Sequence, residues 1–185
     1  QEGAEGVVFA GDNAAENMFL SKNVYLGSVP EDIPLYSAEW ERLNTEEVNR
    51  LIANLDVSGL NPDFIRLQTL KYHCDFYLQK LNGPANTAMF APQVKIELSD
   101  NFYDFVKEVN FSDSSLVQIP KWFNMVLGTF EQMEKKGWIE VSPDKYMEIY
   151  AKRIANEKVR SMFLVELLNF TLQKGYSDDF PSYLE

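Results

Sequence analysis

The chain has 185 residues, of which 45% are hydrophobic and 14% aromatic, enough apolar material for one sizeable folded domain and too much for a disordered chain. Its 17 Lys and Arg against 28 Asp and Glu give a formal net charge of −11, which argues against nucleic acid or an anionic membrane as a partner. No apolar run approaches the roughly 20 residues that a membrane span requires.

The first ten residues are predicted to be a linker, with a strand stub at residues 6–10, and residues 11–185 are predicted to form a single helical domain. Gly11 suits a turn, after which Asp12 or Asn13 can cap a first helix. That helix is expected to run to about Leu26.

The next two helices have clearer limits. The second is predicted from Ser37 to about Leu55. The third begins at Asn61-Pro62, where a capping side chain precedes a proline at the first helical position. It is expected to reach Leu81, because Asn82-Gly83-Pro84 is a strong helix-ending sequence.

Residues 84–98 form the least helical part of the sequence. Val94, Ile96 and Leu98 alternate with charged residues, which is typical of a half-buried extended segment, here near residues 93–98. Beyond it, capping residues, prolines and glycines predict helical segments at about 99–109, 120–136 and 142–174, the last with a break near Asn156. The predicted fold is therefore mainly α, an irregular helical bundle.

The single cysteine and the single histidine are neighbours, His73 and Cys74. One cysteine excludes an internal disulfide, a Cys-x-x-Cys redox pair and a cysteine-rich zinc site. Adjacent helical residues point about 100° apart, so His73 cannot readily activate the Cys74 thiol. Cys74 lies instead in an apolar stripe at helical spacing, Leu67, Leu70, Cys74, Tyr77 and Leu81. We therefore predict a core cysteine, a chain that is not an enzyme, and no cofactor.

Carboxylates leave one catalytic alternative open, a hydrolase with two acids in a cleft. Glu46-Glu47 lie early in a predicted helix and Asp178-Asp179 resemble a helix cap, so neither pair indicates such a cleft by itself. Asp12, Asn13 and Glu16 lack the spacing of a calcium loop. No metal site is predicted.

Most aromatic residues fall at helical spacing and are predicted to belong to the core. Trp138 follows the helix-ending Gly137 and is the aromatic residue most expected to be exposed. Together with Tyr36 or Tyr146 it is the candidate interaction surface. This surface would suit an alternative function, a freestanding helical protein of the cell envelope that binds a peptide or a glycan.

Three stretches resemble a known family. "VFAGDNAAENMFL", "LSDNFYDFVKEVNFSDSSLVQIPKWFNMVL" and "YMEIYAKRIANEKVRSMFLVELLNFTLQKG" are similar to the helical domain that precedes the thioredoxin domain in TlpA/ResA-like thiol–disulfide oxidoreductases of Bacteroidetes. In that family a Trp-Cys-x-x-Cys motif of the thioredoxin domain carries out the redox reaction. This chain has no such motif, so the resemblance implies a place in an architecture and no catalytic residue.

The resemblance implies a non-catalytic helical accessory domain that positions the redox domain or contacts its partners. The expected partners are an adjacent thioredoxin-like domain or protein substrates. The expected location is the periplasm or cell envelope, with a lipid anchor as an option in the full-length protein.

Overall fold

A computed structural model describes residues 10–173, apart from residues 26, 28, 57, 58, 143 and 144. This part of the chain is mainly helical and contains no strand, which confirms the predicted fold class. Two short 3₁₀ helices lie between the third and fourth α-helices, at Asp104–Lys107 and Ser114–Gln118. The α-helices are α1 (Ala14–Lys22), α2 (Ala38–Asp56), α3 (Pro62–Phe90), α4 (Trp122–Lys135), α5 (Tyr146–Lys152) and α6 (Glu157–Gln173). The strand stub predicted at residues 6–10 lies outside the described residues, except for Ala10.

Helix α3 lies between two hydrophobic clusters. Tyr72 and Phe76 face the first cluster, which α2 completes with Trp40. Cys74, two residues from each of them and so on the opposite side of the helix, faces the second cluster, to which α4, α5 and α6 contribute. The predicted stripe through Cys74 is therefore a core stripe, but the sequence pattern did not reveal that α3 is buried on a second side.

The predicted end of α3 is wrong. The helix continues through Asn82-Gly83-Pro84 and ends at Phe90, with Pro84 buried inside it. Tyr36, from the loop before α2, packs its ring against Gly83 and shares a 2.9 Å hydrogen bond with the Thr87 hydroxyl. These tertiary contacts hold both sides of Pro84, and we infer that they outweigh the local preference of glycine and proline to end a helix.

Helix α1 ends earlier than predicted, at Lys22 and not near Leu26. The backbone N–H and the side-chain amide of Asn23 both donate to the carbonyl of Phe19, each at 3.0 Å. Because that carbonyl is satisfied at the helix end, the chain can leave the helix at Asn23. At the other end of α1, Asn13 precedes the helix but makes no side-chain capping hydrogen bond.

The extended segment predicted near residues 93–98 is reduced to one bridge. Leu35 donates its N–H to the carbonyl of Lys95 at 3.1 Å and accepts from the N–H of Glu97 at 3.0 Å. Ile96 is half-buried against the first cluster, whereas Val94 and Leu98 are exposed. One side chain of the predicted apolar face thus packs in the core.

The second half of the chain follows the predicted pattern except at residues 99–109 and at the start of α5, which begins at Tyr146 and not at Ser142. At residues 99–109 the structure shows turns and the 3₁₀ helix Asp104–Lys107, and Ser99 does not cap an α-helix. The predicted break near Asn156 is confirmed, since its side-chain oxygen accepts from the N–H of Val159 at 3.1 Å at the start of α6. The capping residue separates α5 from α6.

Candidate functional site

Cys74 lies in the core and has the properties of a structural cysteine. Its side chain projects from α3 and is buried in the second cluster. Burial raises the pKa of the thiol to about 12, and the nearby Asp75 carboxylate acts in the same direction. Since the thiolate is the reactive form, a thiol that stays protonated at neutral pH is a poor nucleophile and a poor partner for disulfide exchange.

His73 lies at the edge of the α3 stripe, as expected. It is half-buried, and its ring stacks near Tyr77 with 6.1 Å between the ring centroids. Burial lowers the pKa of the imidazole. His73 and Cys74 therefore occupy separate surroundings on α3, and the structure gives no nucleophile–base pair there.

The three aromatic residues of the predicted interaction surface lie in different surroundings. Trp138 is 36% exposed, with the Lys107 ammonium 3.8 Å from its ring centroid. Tyr146 is half-buried, and its hydroxyl shares a 2.8 Å hydrogen bond with Thr171. Tyr36 is only 5% exposed and packs against Trp40 with 4.9 Å between the ring centroids.

Tyr36 is therefore a core residue and cannot offer its ring to a ligand at the surface. This burial could not be predicted from the sequence, because it depends on contacts with Gly83 and Thr87, which are distant from Tyr36 along the chain. Of the proposed rings, Trp138 and part of Tyr146 remain accessible.

The predicted acidic pairs behave as solvated residues where the structure describes them. Glu46 pairs with Arg42 at 2.5 Å and Glu47 with Arg50 at 2.8 Å, all on the outer side of α2. The hydrogen bond from Arg50 lowers the pKa of Glu47. Asp178-Asp179 lie outside the described residues. Within the described part of the chain, no three His, Cys, Asp or Glu side chains are grouped so that they could hold a metal ion.

Lys80 is a buried cation that the sequence analysis missed. Its side chain is 1% exposed and pairs with the Glu41 carboxylate. The ammonium lies 4.1 Å from the ring centroid of Phe105 and 5.0 Å from that of Phe102. Burial lowers the pKa of Lys80, against the influence of Glu41. A buried lysine of lowered pKa often marks a reactive site, but these neighbours enclose the ammonium, so we assign it a structural role.

A signal for this lysine exists in the sequence. Gln68, Tyr72, Phe76 and Lys80 recur every four residues along α3, and all four are buried. Such a row lies on one side of a helix. Because it mixes polar and aromatic side chains, it does not have the pattern of an apolar stripe.

Groups of large apolar side chains are exposed in two places within the described residues, along α6 (Met162, Val165 and Leu172) and at the end of α3, where the exposure is higher, and in the loop after it. We call Met89, Phe90, Val94 and Leu98 the apolar edge. Met89 and Phe90, at the end of α3, are 72% and 78% exposed, and Val94 and Leu98 in the following loop are also exposed. Exposed apolar side chains that occur as a group mark interaction sites more often than single ones do.

The apolar edge is fixed to the core on both sides along the chain. Thr87 is held by the Tyr36 hydroxyl, and the Leu35–Ile96 bridge holds the returning loop between Val94 and Leu98. A backbone held by such a framework loses little freedom on binding a partner, which favours an interface. The apolar edge is the candidate functional site.

None of the helices in the described ranges has the length and apolarity needed to cross a bilayer. Comparison of the chain with protein-family models, curated protein sequences and solved structures finds no match.

Proposed function

We propose that the chain is a non-catalytic helical accessory domain of a TlpA/ResA-like thiol–disulfide oxidoreductase in the cell envelope. It would contact the thioredoxin-like domain, or that domain's protein substrates, through the apolar edge. The observation that carries this proposal is the exposure of Met89 and Phe90, 72% and 78%, at the end of a helix that is otherwise buried on two sides.

The surroundings of Cys74 support the non-catalytic part of the proposal. Disulfide exchange requires an accessible thiolate, and Cys74 is neither accessible nor readily ionised. Redox chemistry in the full-length protein would belong to a Cys-x-x-Cys motif on another domain. The role left for this chain is to hold that domain, or the substrate presented to it, in position.

The composition of the apolar edge supports the interface part of the proposal. Protein interfaces combine an apolar centre that is rich in Met and aromatic residues with a polar rim. Met89 and Phe90 supply such a centre, and the exposed pair Lys95 and Glu97, 3.3 Å apart, supplies polar groups beside it.

The first test concerns the reading frame. We expect the gene to encode a thioredoxin-like domain with a Trp-Cys-x-x-Cys motif after this chain. A reading frame without that domain would remove the proposed partner and contradict the proposal.

The second test concerns the surface. In the full-length protein, hydrogen–deuterium exchange should show protection of the segment that contains Met89 and Phe90, relative to this chain alone. The double substitution Met89→Ser and Phe90→Ser should abolish that protection. Val165→Ser, on the exposed side of α6, is the matched control and should leave the protection unchanged. Equal protection in the double variant and in the wild type would disprove the role of the apolar edge.

A further inference from the structure

A cavity with a volume of about 280 Å³ lies beside α4, where two irregular segments of the chain meet, residues 107–112 and the break between α5 and α6. Phe130 and Met133 of α4 and Phe111 of the preceding loop form its apolar side. The end of the first 3₁₀ helix, residues 110–112 and the break between α5 and α6 form the rest. At about 30 Å³ per water molecule this space holds roughly nine waters, so it has room for a small organic molecule.

The charge of the cavity is opposite to that of the chain. Lys107 and Arg153 contribute to the lining, and none of the lining residues is Asp or Glu. The chain as a whole has 28 acidic and 17 basic residues. A concave surface lined by one sign of charge concentrates its field, so this cavity is a local attractor for anions on an acidic protein.

Both cations are available to a ligand. Among the described residues, no carboxylate lies within ion-pair distance of the Arg153 guanidinium. Lys107 pairs with Asp104 at 3.3 Å, and its ammonium also lies over the Trp138 ring. The Lys107 and Asp104 side chains are about half exposed and Trp138 is 36% exposed, and such surface contacts contribute little free energy. A bound anion can therefore recruit Arg153 directly and Lys107 at small cost.

The side-chain amide of Asn110 adds neutral hydrogen-bond donors for an anion. The side-chain oxygen of Asn110 accepts from the N–H of Ser112 at 2.8 Å. This contact fixes the orientation of the amide, and its NH₂ group makes no hydrogen bond within the described part of the chain. Asn110 thus keeps two donors at a cavity that already carries two cations.

The rim is also held in place without a ligand. The side-chain NH₂ of Asn156 donates to the carbonyl of Ser112 at 2.8 Å, while its oxygen caps α6 at Val159. One side chain therefore connects the segment that carries Asn110 to the break that carries Arg153. Binding groups that are fixed in advance lose little entropy when a ligand arrives.

We propose that this cavity binds a small monocarboxylate with an apolar body. The carboxylate meets Arg153, Lys107 and the amide of Asn110, and the hydrocarbon part lies against Met133 and the edge of Phe111. An arginine fork suits the two oxygens of a carboxylate, and the apolar floor selects against a purely inorganic anion. This proposal does not depend on the apolar edge or on the function proposed for it.

The experiment uses the whole chain and calorimetric titration with octanoate, compared with octanamide as the neutral analogue and with inorganic phosphate. We expect octanoate to bind with a Kd of about 0.1 to 1 mM, the range open to a ligand of this size. Octanamide and phosphate should bind at least about tenfold more weakly, because each lacks one of the two interactions. Arg153→Gln should weaken octanoate binding by about the same factor.

Lys158→Gln is the matched control, since it removes one positive charge from an exposed position that does not line the cavity. It should leave the Kd unchanged, and Lys107→Gln gives a second rim variant if Arg153→Gln does not fold. Octanamide or phosphate binding as tightly as octanoate would overturn the proposal. So would an unchanged Kd in a folded rim variant, or no octanoate binding at concentrations well above 1 mM.

Discussion

The ring of Tyr36 lies so close to Gly83 that a Cβ atom at residue 83 would fall 2.5 Å from the Tyr36 hydroxyl oxygen. The glycine that looks like a helix breaker is therefore a packing residue, which allows a loop tyrosine to reach the backbone of α3. Tyr36 itself has a φ of 64°, an uncommon value for a bulky residue. The surrounding contacts with Trp40, Phe102 and Thr87 stabilise this conformation.

Gly83→Ala should therefore destabilise the protein. In an ordinary helix interior this substitution stabilises by about 0.5 to 1 kcal/mol. Here the added methyl group overlaps the Tyr36 ring, and such overpacking costs about 1 to 3 kcal/mol. Urea unfolding followed by circular dichroism measures the change in the free energy of unfolding.

The control is the same substitution in a Tyr36→Leu background, where the ring is absent. The cost of Gly83→Ala should fall there by at least about 1 kcal/mol, as expected for residues in direct contact. Additive effects in the double variant would show that the two residues do not interact as described.

The buried pair of Lys80 and Glu41 predicts an asymmetry between its two members. Lys80 is 1% exposed and Glu41 is 32% exposed at the side chain, so only Glu41 can turn to water when its partner is lost. Lys80→Met should change the free energy of unfolding by less than about 1 kcal/mol, since Met fills a similar volume without a charge and the remaining Glu41 can turn to water. Glu41→Gln should cost about 1 to 3 kcal/mol because it leaves an unpaired cation in the core.

Urea unfolding of the two variants at pH 7 measures this difference. Arg42→Met is the control. Arg42 pairs with exposed glutamates at the surface of α2, so its loss should have little effect on the free energy of unfolding. A larger cost for Lys80→Met than for Glu41→Gln would contradict the asymmetry that follows from the burial of Lys80 and the partial exposure of Glu41.

Local signals in the sequence predicted the elements that depend on local contacts. The cap at Asn61, the end of α4 before Gly137 and the break at Asn156 all agree with the structure because capping groups and glycine act within one helical turn. The continuation of α3 past Pro84 could not be predicted in this way. It depends on Tyr36, which lies far from Pro84 in sequence.

The same reasoning applies to the candidate sites. Burial of Cys74 could be predicted from helical spacing on α3. The exposure of Met89 and Phe90 could not, because it follows from where α3 ends. The cavity at Arg153 depends on three segments that only the tertiary fold brings together.

His73 provides a test of burial at acidic pH. Burial lowers the pKa of the folded-state imidazole below its ordinary value of 6.5. Between pH 6.5 and the folded-state pKa, the unfolded chain then binds more protons than the folded chain. The free energy of unfolding should therefore fall as the pH drops through 6.5 toward the folded-state pKa. Because His73 is the only histidine, its Hε1 ring proton gives a single titrating NMR signal of that type.

We expect that NMR signal to titrate below pH 6.5. We also expect the wild type to lose more stability than His73→Gln between about pH 7 and 5, since the other acidic groups titrate alike in both proteins. A titration midpoint at or above 6.5 would argue against the burial of this ring.

Cys74 provides the corresponding test at alkaline pH. The folded thiol has a pKa raised from 9.0 to about 12, chiefly by burial. From pH 9 upward the unfolded thiol ionises while the folded thiol keeps its proton. The contribution of Cys74 to the free energy of unfolding, which is complete below pH 9, is therefore lost progressively as the pH rises toward 12. The wild type should therefore lose about 1 kcal/mol more than Cys74→Ala between about pH 8 and 10.

Guanidinium unfolding at the two pH values gives this difference directly, and the buried tyrosines cancel because both proteins contain them. The thiol should also react slowly with Ellman's reagent in the native protein, and rapidly once denaturant exposes it, because the reagent requires an accessible thiolate. Fast reaction of the native thiol at neutral pH, or equal alkaline losses in the two proteins, would place Cys74 outside the core. In that case the chain's own thiol would become a candidate for the redox chemistry that we propose for another domain.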